Sequence, residues 1–264
     1  MLKTILICIF FNLFMFNAKA ELLISPTRVV MDERQRSASV NLINTTQMTR
    51  TYRLSLVDKV ALPNGGYQNI ASENSSLPVA SPYIRISPSQ VTLKPGQQQK
   101  VRLLFRRPAD LTDGEYRTHL TFTPLPRSRE NTDNNGEMKI FVEALVSFSI
   151  PVLARQGRLD VNVEFADVNL VQQKAKKELL VKLARSGKHS PRGNLKIYAQ
   201  TNTGELGKIV GQLNGLSLYP ENESYVKTIV LNPLATNSKN LVVRYEGVKE
   251  FNGQILAEQT LSLD

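Results

Sequence analysis

The 264-residue chain contains no tryptophan, two histidines and a single cysteine. Cys8 lies in an apolar run near the start, so the rest of the chain has no thiol to bridge, and its stability has to come from a buried core. His119 and His189 are far apart and lack acidic or thiol neighbours at ligand spacing, so no metal site is expected. There is no G-x-S-x-G elbow, no P-loop and no dinucleotide fingerprint, and the acidic residues are scattered. These absences predict a protein that is not an enzyme and takes no cofactor. The missing tryptophan and unclustered tyrosines argue against a carbohydrate-binding face. The chain also lacks any stretch with helical periodicity and any polybasic run.

What is present starts with an export signal. Lys3 precedes the apolar run Ile5–Phe16, and Ala18-Lys19-Ala20 forms a small-x-small cleavage site. Residues 1–20 are therefore expected to be a signal peptide and the mature chain to begin at Glu21. The run is too short for a membrane span, and Cys8 is not placed for a lipid, so no membrane anchor is expected. Removing Lys3 and Lys19 lowers the formal charge from +10 to +8. Export argues against nucleic acid as the partner of that charge, leaving a basic surface or a site for carboxylates.

From Glu21 onward the pattern is alternating apolar and polar residues broken by turn signals. Ser37–Ile43, Arg50–Val57, Gln97–Phe105 and Glu115–Thr123 alternate, and Ser25-Pro26 and Ser87-Pro88 each split a pair of short strands. Asn64-Gly65-Gly66, Lys94-Pro95-Gly96 and Asp113-Gly114 mark turns. About seven strands precede Gln156-Gly157, and further short strands follow it, with hairpin turns expected at Asn214-Gly215 and Asn252-Gly253. The prediction is all-β, with two immunoglobulin-like β-sandwich domains, at 21–155 and 156–264.

One stretch stands out. Lys139–Arg155, KIFVEALVSFSIPVLAR, alternates throughout and predicts a single strand of roughly 55 Å at ~3.3 Å per residue. That is longer than one sandwich core needs, so part of its apolar face lacks an evident use.

Four motifs together resemble the periplasmic pilus-assembly chaperones of chaperone–usher systems, the PapD-like family. They are SPTRVVM at Ser25–Met31, LKPGQQQKVRLLF at Leu93–Phe105, DGEYRTHL at Asp113–Leu120, and the long strand ending IPVLARQGRL. The GEYRTHL element looks more like the family's archaic branch. The resemblance implies two sandwiches arranged in an L with a cleft between them, and a location in the periplasm. It implies as partners pilin subunits and an outer-membrane usher. In that family one strand of the chaperone completes an unfinished pilin sandwich, whose open edge would otherwise aggregate.

The resemblance also implies site residues. Ile140, Val142, Ala144, Val146 and Phe148 fall on the subunit-facing parity. The competing assignment has this parity packing the protein's own core. Arg28 matches the arginine that binds the pilin's C-terminal carboxylate, the alternative being a surface arginine. Pro151 stands where the family has its second anchor, a lysine, which leaves Arg117 as the favoured substitute and Arg155 as the other. Arg102 matches an arginine of an interdomain ionic network, with Glu115 and Glu250 as its acidic partners. A structural pilus subunit or adhesin with immunoglobulin-like domains is the alternative function.

Overall fold

A computed structural model describes residues 21–63, 65–70, 76–126, 144–173, 176–201, 204–233 and 238–263. The expected signal peptide, residues 1–20, lies outside them, as do Ile140 and Val142 of the expected donor stretch.

The first half of the chain supplies β1 (Leu22–Ser25), β2 (Val29–Met31), β3 (Ser37–Asn44), β4 (Arg50–Val57), β5 (Lys59–Ala61) and β6 (Tyr67–Asn69). These are followed by β7 (Ile84–Ser87), β8 (Gln90–Leu93), β9 (Gln98–Phe105), β10 (Gly114–Pro124) and β11 (Phe148–Gln156). They form one sheet in the order β1-β3-β9-β7 and a second in the order β2-β11-β10-β4-β8. The inward parities make one shared core. Tyr52 and Leu54 of β4 and Val101, Leu103 and Phe105 of β9 are buried with Leu120, Phe122, Ile150 and Val152.

The two Ser-Pro pairs have a clear architectural place. β1 pairs with β3 in one sheet, and after cis Ser25-Pro26 the chain enters β2 in the other. β7 and β8 repeat this around cis Ser87-Pro88. A proline cannot donate to a ladder, so it is tolerated where one sheet is left for the next.

The second half supplies β12 (Asn162–Gln173), β13 (Lys176–Ser186), β14 (Arg192–Thr201), β15 (Leu206–Ser217), β16 (Ser224–Val230), β17 (Ser238–Gly247) and β18 (Ile255–Ser262). Sheets β12-β13-β16 and β15-β14-β17-β18 enclose a second core that includes Leu179, Val181, Leu195, Ile197, Leu241 and Tyr245. The fold is all-β, with two immunoglobulin-like sandwiches. No helix of the described residues is long and apolar enough to cross a membrane.

Two local expectations need correcting, and a third point is new. Asn214-Gly215 is not a hairpin turn but lies inside β15. Gly215 takes φ +67°, and Asn214 and Gly215 together face Asn194, whose Oδ1 accepts the Gly215 amide at 2.9 Å. The left-handed glycine is absorbed as a bulge, so the strand bends and continues. The second correction concerns the long strand. β11 begins only at Phe148, and residues 144–147 lie outside any strand. The third point is an addition: a short hairpin, β5–β6, flanks the expected Asn64-Gly65-Gly66 turn, its three-residue strands being too short for a sequence pattern.

Candidate functional site

The outward face of β10 and β11 is where the two sandwiches meet. β10 pairs antiparallel with β11, so Glu115 faces Arg155, Arg117 faces Leu153 and His119 faces Pro151. All of these except Pro151 are buried, although they lie on the side away from the first core. Leu153 packs with Ala61 of β5 and Tyr219 of the second sandwich, with Val30 beside them. An outward leucine is thus the centre of a small apolar joint between the halves.

A buried ionic network surrounds this joint, and Arg155 is its hub. Its Nε donates to Glu115 Oε2 at 2.9 Å, its Nη1 to Glu250 Oε1 at 2.9 Å, and its Nη2 to the Ser190 carbonyl at 2.7 Å. Glu115 Oε2 also accepts from the Ser190 amide at 3.1 Å and hydroxyl at 2.8 Å. A buried carboxylate needs such partners to offset its desolvation; here all three fall on Oε2, and Oε1 is buried without one. Arg102 plays no part in the network. It sits on the exposed face of β9, paired in register with Ser39 and Ser87, because alternation points Val101 and Leu103 inward and Arg102 outward. Glu115 and Glu250 are in the network, with Arg155 in the place expected of Arg102.

Arg117 is likewise committed elsewhere. Both its Nη atoms bond Glu221 of the second sandwich, and Nη2 also donates to the Lys59 carbonyl at 3.1 Å. The guanidinium carbon lies 3.8 Å from the Tyr219 ring centre. Burial works against its charge, but the bond to Glu221 and that carboxylate's field outweigh it and raise the pKa. Glu221 also accepts the Ala61 amide at 2.9 Å, and Asn222 donates to the Ala61 carbonyl at 2.8 Å. The β5–β6 hairpin and the second sandwich therefore close over Arg117, and it does not line the cleft that holds Arg28.

His119 is covered by the same hairpin. Its ring meets Tyr67 edge-on at 4.7 Å, and neither ring nitrogen has a partner. Burial, with the charges of Arg117 and Lys59, pushes its pKa down to about 3, so it is a neutral, structural histidine. Among the described residues no cluster of His, Cys, Asp or Glu could hold a metal ion.

Arg28 stands at the start of β2, in the cleft between the sandwiches. Its Nη1 donates to Ser217 Oγ at 2.9 Å, and its Nη2 reaches Ser190 Oγ at 3.3 Å and Glu250 at 3.7 Å. Its Nε is buried and unpaired. Burial lowers its pKa, though a guanidinium stays charged. The hollow it lines, about 460 Å³, also contains Thr27, Arg192, Lys249 and Glu250, three cations to one carboxylate with Arg28 counted. Arg192 and Lys249 come from the second sandwich, and only folding brings them beside Arg28.

The described part of the expected donor stretch leads into β11 from the end away from β2. Ala144 and Val146 are exposed, Val146 by 58%, and Leu145 of the other parity by 40%. Phe148 differs: it opens β11 and is half-buried against the first core, because its parity is that of Ile150 and Val152. The outer edge of β11 is only partly covered. β2 runs parallel to it and pairs with Val152, Leu153 and Ala154 alone. Along Phe148–Pro151 no described strand pairs with that edge.

Comparison with known proteins gives these features a context. The family of pili and flagellar-assembly chaperones, PapD N-terminal domain, matches residues 21–155. No curated protein matches the chain. Among solved structures, the YadV chaperone is similar with a TM-score of 0.52 at 13% identity, over 92% of this chain and 100% of that one. A chain of the Salmonella enterica SafA pilin–SafB chaperone complex gives 0.47 at 13% identity, over 94% and 99%. The CsuC–CsuE chaperone–tip subunit complex from Acinetobacter baumannii gives 0.46 at 16%, over 92% and 97%.

Proposed function

The chain belongs to the pili and flagellar-assembly chaperones, and from that premise we propose that it is a periplasmic chaperone that completes pilin subunits with its own chain and passes them to an outer-membrane usher. The observation that carries this reading is the combination at β11: an exposed apolar lead-in, an open edge over Phe148–Pro151, and a cationic cleft where β2 begins. An incoming pilin strand pairs with the open edge and satisfies its own unpaired main chain. Ala144 and Val146 fill the pilin's groove, with Phe148 spanning the junction between the two cores. Ile140 and Val142 continue the same parity in the sequence. Each such side chain fully buried contributes ~1.5–3 kcal/mol before association costs.

The direction of the pilin strand follows from charge. β2 already occupies the edge of β11 from Val152 onward and runs parallel to it. A strand added before it and pointing the same way ends against Thr27 and Arg28. Its last group is then a carboxylate facing a guanidinium. The opposite direction would bring an ammonium group there, against Arg28, Arg192 and Lys249, with Glu250 the one carboxylate of the hollow and already paired to Arg155. Arg28 is the anchor in this reading, with Arg192 and Lys249 as the nearby cations; Arg117 is held by Glu221.

Recovery of a 1:1 complex from the periplasm, with the chaperone and its pilin co-expressed, tests the reading. Arg28→Ala should lower recovery at least tenfold, equivalent to the ~1.5–3 kcal/mol of a charge-assisted bond. Undiminished recovery would remove the carboxylate anchor. A pilin that accumulates equally well without this protein would remove the chaperone role.

A further inference from the structure

We infer that the cleft holds a specificity pocket for the side chain of the pilin's last residue, and that this residue is a large apolar or aromatic one. The inference rests on the reading above, which places the pilin's carboxylate at Arg28. A second hollow of about 460 Å³ adjoins the one containing Arg28, and the two share Thr27 and Arg192. A volume of this size is in the range of small-ligand pockets. Pro151, the last residue of the open β11 edge, also lines it. A strand that ends at Thr27 therefore presents its final side chain at this hollow, within about one residue spacing of ~3.3 Å.

The walls define the ligand. Leu62 and Tyr67 come from the β5–β6 hairpin, Leu213 and Leu216 from β15, and Tyr219 and Tyr225 from the flank of the second sandwich. The tyrosine hydroxyls are occupied within the protein. Tyr67 donates to the Tyr219 hydroxyl at 3.3 Å, and the Tyr225 hydroxyl donates to the Tyr219 carbonyl at 3.1 Å and accepts the Tyr219 amide at 2.7 Å. What they leave for a ligand is ring surface. Tyr67 and Leu213 remain 45% and 36% exposed, so apolar area is left to be covered. The charged side chains of this hollow are Arg192 and Lys227, and among the described residues no carboxylate lines it. A lysine or arginine at the pilin terminus would meet like charge, and a serine or glycine would leave the walls wet.

The test uses ten-residue peptides with alternating valine and threonine and a free C-terminal carboxylate, differing only in the last residue: Tyr, Leu, Ser or Lys. Binding to the full-length mature protein is read by fluorescence anisotropy. The Tyr and Leu peptides should bind about tenfold or more tighter than the Ser peptide, and the Lys peptide weakest of all. Leu213→Asp should erase the preference. Tyr67→Ser, at an exposed site, should weaken it and serves as the second variant should Leu213→Asp fail to fold by circular dichroism. Amidated peptides and Arg28→Ala separate the two levels. Binding that needs the carboxylate and Arg28 yet ignores the last residue overturns the pocket and keeps the anchor. Binding indifferent to both carboxylate and Arg28, or no binding at all, overturns the anchor and the pocket with it.

Discussion

Residues 144–149 and 150–156 belong to one alternating run but have opposite surroundings. From Ile150 onward the run is enclosed. Ile150, Val152 and Ala154 fill the first core, while Leu153 and Arg155 on the other parity are buried against the second sandwich. β10 covers one edge, and β2 covers the other over Val152, Leu153 and Ala154. Before Ile150, Ala144, Leu145 and Val146 are exposed and Phe148 is half-buried, and no described strand pairs with the β2-side edge until Val152. Alternation thus specifies a strand without specifying what the strand packs against. Where the sandwich reaches, the even parity is core; before it, Ala144 and Val146 of that parity are exposed.

The sharpest way to break this comparison is to place a charge on each side of Ile150. Val152→Asp buries an unpaired carboxylate in a core position with no exposure, and should unfold the first sandwich outright, at a cost above about 5 kcal/mol. Urea unfolding followed by circular dichroism measures it; a folded variant would show that the core tolerates the charge.

Arg155→Ala should come next. It leaves Glu115 buried without its main counter-ion, which costs about 3–5 kcal/mol, and Glu250 loses its 2.9 Å contact. A loss below about 1 kcal/mol by the same method would mean that Ser190 alone suffices for Glu115. The Arg102→Ala variant provides the contrast and should change stability by less than about 0.5 kcal/mol, as an exposed side chain does.

The pH dependence is smaller. His119 binds its proton in the fold only near pH 3, whereas the unfolded chain takes it up near 6.5. Between those values the unfolded state holds more protons, so stability falls as pH falls. From pH 6.5 to 5 the loss is about 2 kcal/mol. Tyr67, Lys59 and Arg117 face the ring and offer it no acceptor. His189, lowered mainly by burial, adds in the same direction. Melting temperatures from pH 7 to 5 should drop less steeply in His119→Gln than in the parent, and identical slopes would remove His119 as the cause.

Val146→Asp should have the least effect on the fold, under about 0.5 kcal/mol, because the residue is already in water. The same change should abolish recovery of the pilin complex. Loss of the protein's own stability would instead assign Val146 to its own core and erase the distinction between the two halves of the run.

How much was legible in the sequence varies with how local the cause is. Strand identity was legible because it rests on period-two patterning and turn residues. The sheet-switching prolines were legible because a missing amide is a property of one residue. Partners of charged residues were not. Arg102, Arg117 and Arg155 are all strand arginines, and nothing local marks the one between two apolar residues, Arg102, as exposed and the other two as buried. Their fates depend on Glu221, Ser190 and Glu250, which lie beyond residue 185 in the chain. Arg192 and Lys227, the cleft cations of the second sandwich, carried no signal for the same reason. The β5–β6 hairpin was missed because three-residue strands are too short for periodicity to emerge.

By itself, then, the sequence determined an all-β chain without disulfides, the inward parity of each long strand, and a run of alternation longer than one sandwich can bury. These follow from side-chain direction and backbone chemistry within a few residues. The tertiary structure alone decided where that run leaves cover, that β2 stops the open edge at Val152, and that Arg28 rather than Arg117 faces the cleft. Those outcomes depend on which distant segments arrive beside each side chain, and burial and ion pairing are properties of that three-dimensional neighbourhood.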